Sequence, residues 1–116
     1  MKSNSDSVLI HIVLISFLET ASAEARQEIY DMYQEIAEKC GGKNAGILYF
    51  KVEWNLDLRK GVHLVEVAVF SSNESLQAFR VHPAHAELTN KLRDLADWKV
   101  GDFHDASGAF ATGEVV

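Results

Sequence analysis

The sequence predicts a single α+β domain of the ferredoxin-like type, with an antiparallel sheet and all helices on one of its faces. Apolar patterning gives the element order β-α-β-β-α-β, which is that of the split β-α-β arrangement. The length of 116 residues suffices for one domain with a core of its own. Since no repeat or linker divides the chain, we expect a core over residues 8–103, between an N-terminal arm (1–7) and a C-terminal tail (104–116).

The first predicted strand, Val8–Phe17, is rich in β-branched residues and apolar on both of its alternating sets. Because side chains alternate across a strand, one set is expected to face the helices and the other to face away. The predicted inner set is Leu9, His11, Val13, Ile15 and Phe17, and the predicted outer set is Val8, Ile10, Ile12 and Leu14.

An amphipathic helix is predicted from Ala23 to Cys40, where Gly41-Gly42 ends it. Its apolar residues recur every three or four positions, at Ala25, Ile29, Met32, Ile36 and Cys40. A second strand follows over Ala45–Leu56, by the alternation that places one apolar set on one face. That set is Leu48, Phe50, Val52 and Trp54.

The second half of the chain predicts a strand, a pair of helices and a final strand. The third strand is predicted over Val62–Phe70. Ser71 with Glu74 three residues later is typical of a capping box and opens a short helix. Pro83 restarts the helix, and Trp98–Phe103 is the last predicted strand.

The outer set of the first strand has no predicted cover, because both helical layers lie on the other face of the sheet. At about 25 cal/mol per Å2, four such side chains in water would forfeit several kcal/mol, which is comparable to the whole stability of a small domain. A second copy of the same sheet is the simplest cover. We therefore expect a face-to-face homodimer.

Composition excludes several classes of partner. A formal charge of −6 argues against nucleic acid and against an anionic membrane surface. No apolar run approaches the roughly eighteen residues of a membrane span.

The single cysteine, Cys40, follows a helical segment whose negative end disfavours a thiolate, so we expect a packed apolar side chain there.

The N-terminus imitates a secretory signal, with Lys2, an apolar run and the small residues Ala21-Ser22-Ala23. Asp6 nearly cancels the charge of Lys2, and His11 interrupts the apolar run. We therefore expect the segment to be retained and the protein to be cytoplasmic.

The segment His82-Pro83-Ala84-His85 places two imidazoles three positions apart where a helix is predicted to begin. Proline is favoured at the first helical position, which makes His82 the N-cap and puts His85 in the first turn. The positive end of the helix dipole disfavours imidazolium there, so His85 is expected to be neutral near pH 7. A neutral imidazole can act as a base or a ligand, although both rings could also simply cap and pack the helix start.

Several segments resemble the stress-responsive dimeric A/B barrel domain family, over about residues 8–103. The matching segments are Ile10-His11-Ile12-Val13-Leu14, Gly61-Val62-His63-Leu64-Val65-Glu66-Val67, Glu74-Ser75-Leu76-Gln77-Ala78-Phe79, His82-Pro83-Ala84-His85 and Gly101-Asp102-Phe103. The resemblance implies a ferredoxin-like fold that dimerises through its sheets into a barrel.

The same resemblance implies an activity, because the family includes plant polyketide cyclases that perform an intramolecular aldol condensation without a cofactor. In those enzymes the second histidine of the four-residue motif is the acid/base catalyst, which falls on His85. A tyrosine six residues earlier holds the substrate carbonyl, and this chain has Phe79 there. Since a phenyl ring cannot donate a hydrogen bond, Tyr33 or Tyr30 would have to take that role.

We expect one small cavity under the helices, lined by His85 as the catalytic group and by other residues that bind a hydrophobic or polyketide-like substrate. The predicted binding residues are His11, Tyr30, Tyr33, His63, Phe79 and His82. Two alternatives stay open. A metal site built from these histidines is disfavoured because no Asp, Glu or Cys stands at ligand spacing, and a non-catalytic dimer that binds a hydrophobic ligand or acts in stress tolerance is favoured by Phe79.

Overall fold

A computed structural model describes residues 7–106 and has the predicted ferredoxin-like α+β architecture. The elements are β1 (Val8–Phe17), α1 (Ala23–Lys39), a 3-10 turn (Gly42–Ala45), β2 (Ile47–Trp54), β3 (Leu64–Phe70), α2 (Asn73–Val81), α3 (Pro83–Arg93) and β4 (Ala96–Asp105). The sheet order is β2-β3-β1-β4, and all neighbouring strands are antiparallel. Residues 1–6 of the predicted arm (1–7) and residues 107–116 of the predicted tail (104–116) lie outside the described residues, whereas His104 and Asp105 of that tail belong to β4.

The segment that imitates a secretory signal is β1, a central strand of the sheet. It pairs with β3 on one side and with β4 on the other. Its inner set faces the helices as predicted, with the apolar members in the main core and His11 buried beside them. A strand with neighbours on both edges and apolar side chains on both faces is the most buried position that a sheet offers.

The outer face of the sheet is apolar and only partly covered. Val8, Ile10 and Val69 form a second, smaller buried cluster there, against which Ile12 and Leu48 pack. Further along the same face, three large side chains remain exposed: Leu14 by 37%, Tyr49 by 50% and Phe103 by 49%. The predicted apolar outer set is therefore present, and the apolar surface continues onto the neighbouring strands.

The first helix begins and ends at residues that satisfy its free backbone groups. The hydroxyl of Ser22 accepts a hydrogen bond from the Ala25 N–H at 3.1 Å and caps α1. At the other end, Cys40 is buried as predicted, and burial raises the pKa of its thiol.

Among the helices of residues 7–106, none has the length and apolar character needed to cross a bilayer.

The predicted cap of α2 is wrong by one residue. Ser72, not Ser71, is the N-cap, and its hydroxyl accepts from the Ser75 N–H at 3.1 Å. The N–H of Ser71 donates instead to the carbonyl of Gly46 at 2.8 Å, and Gly46 is the residue directly before β2. That N–H is therefore not free for the Glu74 side chain, as the predicted capping box would require.

Three strands have boundaries that differ from those predicted, and one side chain lies on the other face. β2 is shorter than predicted, β3 begins at Leu64, and β4 runs from Ala96 to Asp105. The pairing of β2 with β3 shifts between Ile47 and Tyr49, so Leu48 is an extra residue in a bulge. Because of that bulge, Leu48 packs on the outer face, whereas Phe50 contacts the main core as predicted.

The joint between α2 and α3 has the predicted geometry. Pro83 is the first residue of α3, and His82 is its N-cap, with Nδ1 accepting a hydrogen bond from the Ala84 N–H at 3.1 Å. The His82 N–H donates to the Phe79 carbonyl at 3.2 Å, which closes the end of α2. The joint therefore sets the position of His85, two residues beyond Pro83.

Replacing His82 by alanine is expected to lower the free energy of unfolding by about 1 kcal/mol, because the Ala84 N–H loses its acceptor. Urea denaturation at one fixed protein concentration measures the change. His82→Asn is the matched control, since asparagine is a good N-cap and should retain most of the stability. Equal losses in the two variants would contradict a capping role.

Candidate functional site

A cavity of about 320 Å3 lies between the sheet and the helices, where α1, α2 and α3 meet β1, β3 and β4. Its apolar wall includes Val13, Leu92, Trp98 and Val100. Its polar lining is His11, Tyr33, Glu66, Arg80, His85, Thr89 and Arg93. The cavity thus gathers titratable groups from distant parts of the chain around an apolar wall, which is the usual composition of a small-molecule site.

His85 is favoured as a neutral imidazole in this cavity. Burial lowers the pKa of His85, a backbone hydrogen bond with Arg80 raises it in part, and the positive charges of His11 and Arg80 lower it further. Its position in the first turn of α3 acts in the same direction. Nδ1 of His85 is buried and has no hydrogen-bond partner among residues 7–106.

Phe79 packs directly against the His85 ring, with ring centroids 4.5 Å apart and planes tilted by 59°. Phe79 is 2% exposed and also contacts the rings of Phe70 and Phe50. It is therefore part of an aromatic cluster behind His85. A hydrocarbon ring at this position fixes the imidazole by packing and offers no hydrogen bond to a substrate.

A chain of charged groups runs from the cavity floor to its rim. His11 is 5% exposed and Glu66 is 2% exposed. Nδ1 of His11 lies 2.5 Å from Oδ1 of Asp102, and Nε2 lies 3.3 Å from Oε2 of Glu66. The other carboxylate oxygen of Asp102 accepts from Nη2 of Arg80 at 3.3 Å.

These contacts set the protonation of His11. Burial by itself lowers the pKa of His11, but the close contacts and negative charges of Glu66 and Asp102 outweigh burial and raise it. His11 is thus favoured as an imidazolium, whose positive charge compensates the buried carboxylate of Glu66. Oε2 of Glu66 nevertheless lacks a properly directed hydrogen bond within the described residues.

Tyr33 supplies a phenol to the same cavity. Its side chain is 4% exposed, and burial together with the nearby negative charge of Glu66 raises the pKa of the hydroxyl. The group stays protonated and can donate a hydrogen bond. Of the two tyrosines predicted to take the role that Phe79 cannot fill, Tyr33 is the one at the cavity.

Tyr30 and His63 do not line this cavity. The ring of Tyr30 stacks on Trp54 with centroids 5.2 Å apart, and its hydroxyl donates to Glu53 at 3.1 Å, over the edge strand β2. His63 precedes β3, so the alternation of that strand does not govern its direction. Its Nδ1 accepts from the Phe17 N–H at 2.9 Å, which gives it a local partner at the other end of β1.

His82 is also outside the cavity lining, because its Nδ1 is used to cap α3. The predicted single cavity that contains all seven residues is therefore wrong for Tyr30, His63 and His82, and Phe79 packs behind His85 without lining the cavity. The structure brings together His11, Tyr33 and His85, with Phe79 packed behind His85.

Four charged residues of the site were not among the predicted site residues: Glu66, Arg80, Arg93 and Asp102. A signal for Glu66 exists in the sequence, since it alternates with Leu64 and Ala68 on the buried face of a strand. Asp102 lies opposite His11 in the register of β4 with β1, which no local pattern reveals.

A larger cavity of about 490 Å3 lies beside the start of α2, lined in part by Ser71, Ser72 and His104. The Ser71 hydroxyl already bonds to Ser75, and the Ser72 hydroxyl caps the helix. It holds neither of the two orphaned polar atoms described above. The chemistry therefore favours the smaller cavity. Within residues 7–106, no group of three His, Cys, Asp or Glu side chains is arranged to hold a metal ion.

Comparison with known proteins gives a family match and structural neighbours. The family model of the stress-responsive A/B barrel domain matches residues 9–105. No curated protein matches this sequence.

Several solved structures share the fold at low sequence identity. A dimeric protein of unknown function with a ferredoxin-like fold, from Bacteroides fragilis, is 17% identical, with a TM-score of 0.71 over 84% of this chain and 96% of that chain. A hydroxynitrile lyase from Passiflora edulis is 15% identical, with a TM-score of 0.72 over 86% and 94%. A protein of the same family from Mesorhizobium loti is 12% identical, with a TM-score of 0.68 over 84% and 95%.

Replacing His11 by leucine is expected to lower the free energy of unfolding by about 3 kcal/mol, because Glu66 then stays buried without a positive partner. The double variant His11→Leu/Glu66→Leu removes both charges and should recover most of that loss. Urea denaturation measures both variants at one protein concentration. A double variant no more stable than His11→Leu would contradict the pairing.

Proposed function

The chain belongs to the stress-responsive A/B barrel domain family, and we propose that it is a homodimeric protein whose cavity performs cofactor-independent acid–base chemistry next to a carbonyl group. The reaction class is that of an aldol-type cyclase or lyase, with His85 as the acid/base group. The observation that carries the proposal is the neutral His85, with a buried nitrogen that lacks a partner, in a cavity beside a protonated tyrosine.

The proposed reaction starts with proton transfer to His85. A neutral imidazole removes a proton from a carbon between two carbonyls, and the electron pair of the C–H bond forms an enolate. The enolate carbon then attacks another carbonyl of the same molecule, which closes a carbon–carbon bond and leaves an alkoxide. The alkoxide takes the proton back from the imidazolium of His85, so that no atom is gained or lost.

The negative oxygen of the enolate needs a donor, and Phe79 cannot supply one. In the proposed site the Tyr33 hydroxyl takes that role, since it lines the cavity and stays protonated. The imidazolium of His11 adds positive charge to the same space. The apolar wall of the cavity lowers the polarity around both groups, which strengthens their interactions with the enolate.

The proposed dimer buries the outer face of the sheet against a second copy. Leu14, Tyr49 and Phe103 are large and exposed on that face. Large exposed apolar patches are rare on monomers and typical of interfaces. The Bacteroides fragilis neighbour is described as dimeric and shares this fold.

A cytoplasmic location is proposed together with the dimer. The apolar segment that imitates a secretory signal is the central strand β1, so the folded domain contains it.

One observation favours a second candidate function. Phe79 stands where the related cyclases carry a tyrosine, and a site without that hydroxyl suits a binding protein as well as an enzyme. In that case the cavity would bind a hydrophobic small molecule without turning it over.

His85→Gln is expected to reduce base catalysis by at least about 100-fold, because glutamine keeps the size and polarity of the side chain but cannot take the proton. The probe is 2,4-pentanedione in deuterated buffer, and proton NMR follows the protein-dependent exchange of its central methylene. His104→Gln is the matched control, since His104 is exposed on β4 and lies outside the cavity.

The pH profile of wild-type exchange gives an independent readout. The base works only when deprotonated, and the pKa of His85 is below the ordinary 6.5 of histidine. Activity should therefore hold through neutral pH and fall only in acid, with a midpoint below 6.5. Wild-type exchange no faster than buffer would leave the binding function as the correct one.

Leu14→Lys is expected to weaken self-association at least about tenfold, because it puts a charge in the middle of the proposed interface. Sedimentation velocity at micromolar concentration measures the oligomeric state. Leu58→Lys is the matched control, since Leu58 lies 61% exposed in the loop between β2 and β3. A monomeric wild-type protein would contradict the proposed dimer.

A further inference from the structure

We propose that the ligand of the His85 cavity is a small carboxylic acid with a hydroxyl or enol group, and that Arg93 binds its carboxylate. This inference rests on the proposed function only in taking the same cavity as the binding site, and it names the chemical class of the ligand. It depends on the distribution of charge around the cavity and on two buried polar atoms without hydrogen bonds.

Arg93 is the cation of the cavity lining that has no counterion. Arg80 is paired with Asp102, and His11 lies between Asp102 and Glu66. Arg93 forms no ion pair with any residue of the described part, and Nη1 donates only to the neutral side chain of Asn90 at 3.0 Å. It is exposed at the end of α3, which puts its guanidinium at the rim of the cavity.

The charges of the site leave an excess of one positive group. The two arginines and the imidazolium of His11 face the carboxylates of Glu66 and Asp102. A ligand with a single negative charge would balance this set. A guanidinium binds a carboxylate through two parallel hydrogen bonds, which fixes its orientation as well as its charge.

Two buried polar atoms in the interior of the cavity lack a hydrogen-bond donor or acceptor. Oε2 of Glu66 is buried, has an ion-pair contact with Nε2 of His11 at 3.3 Å but no well-directed hydrogen bond, and can only accept one while ionised. Nδ1 of His85 is buried and unpartnered as well. Since buried polar groups in native proteins normally have partners, a ligand hydroxyl is the group that these atoms fit.

The size of the cavity limits the body of the ligand. A volume of about 320 Å3 lies at the lower end of the range for ligand pockets. The apolar wall formed by Val13, Leu92 and Trp98 suits a ring or short chain between the two polar groups. A phosphate carries roughly −1.5 to −2 charges at pH 7, which exceeds the excess positive charge and meets two carboxylates.

The test compares 3-hydroxybenzoate with 3-hydroxybenzamide, which has nearly the same shape and no charge. Isothermal titration should show at least about tenfold tighter binding of the acid to the wild-type protein. Arg93→Gln should weaken acid binding about tenfold and leave amide binding unchanged. Arg59→Gln, in the exposed loop between β2 and β3, is the matched control and should change neither.

Four results would overturn the inference: equal binding of acid and amide, equal effects of the two arginine substitutions, no binding of the acid up to its solubility, or displacement of the acid by comparable concentrations of inorganic phosphate. The last would assign Arg93 to a phosphoryl group. His85→Gln separates this inference from the proposed catalysis, because it should keep the preference for the acid while the exchange of 2,4-pentanedione is lost. Arg93-dependent acid binding without any wild-type exchange would support the carboxylate site and reject the catalytic role.

Discussion

The site is organised around a carboxylate that the fold buries. Glu66 lies on the inner face of β3 with 2% exposure, among Leu64, Ala68 and Phe70. An ionised carboxylate is stable there only next to a positive group, and β1 supplies it as His11. His11 is in turn held by Asp102 of β4, and Asp102 is held by Arg80 of α2. One buried charge thus determines the electrostatics of three strands and a helix.

Because of this arrangement, the two histidines of the cavity favour different protonation states. His11 lies between two carboxylates and is favoured as a cation, whereas His85 lies beside an aromatic ring and two positive groups and is favoured as neutral. Neighbouring titratable groups whose environments push their pKa values apart are typical of acid–base sites. The short joint at His82 and Pro83 makes this possible, since it aims the first turn of α3 at the cavity.

The fold was largely predictable, because strong local patterns specify it. Alternation in β1 predicted both of its faces, and Pro83 predicted the start of α3. Two local predictions failed: a bulge moved Leu48 to the outer face, and the Ser71 N–H that a capping box would use is bonded to Gly46 while Ser72 caps α2. The site was predictable only in part. A local motif identified His85. Asp102 and Arg80 reach the site through strand register and helix packing, which short sequence patterns do not predict.

The pairing of β1 with β4 has a consequence for how the chain reaches its fold. Val8 pairs with Asp105, so the first and last strands of the sheet are neighbours. During synthesis, the most apolar strand of the protein therefore has one open edge until nearly all of the domain has left the ribosome. Contacts between such distant parts of the chain slow folding, and an unpaired apolar strand edge promotes association with other nascent chains. Loss of a few residues at the end of β4 would leave the matching part of that edge, at the start of β1, open in the folded domain as well.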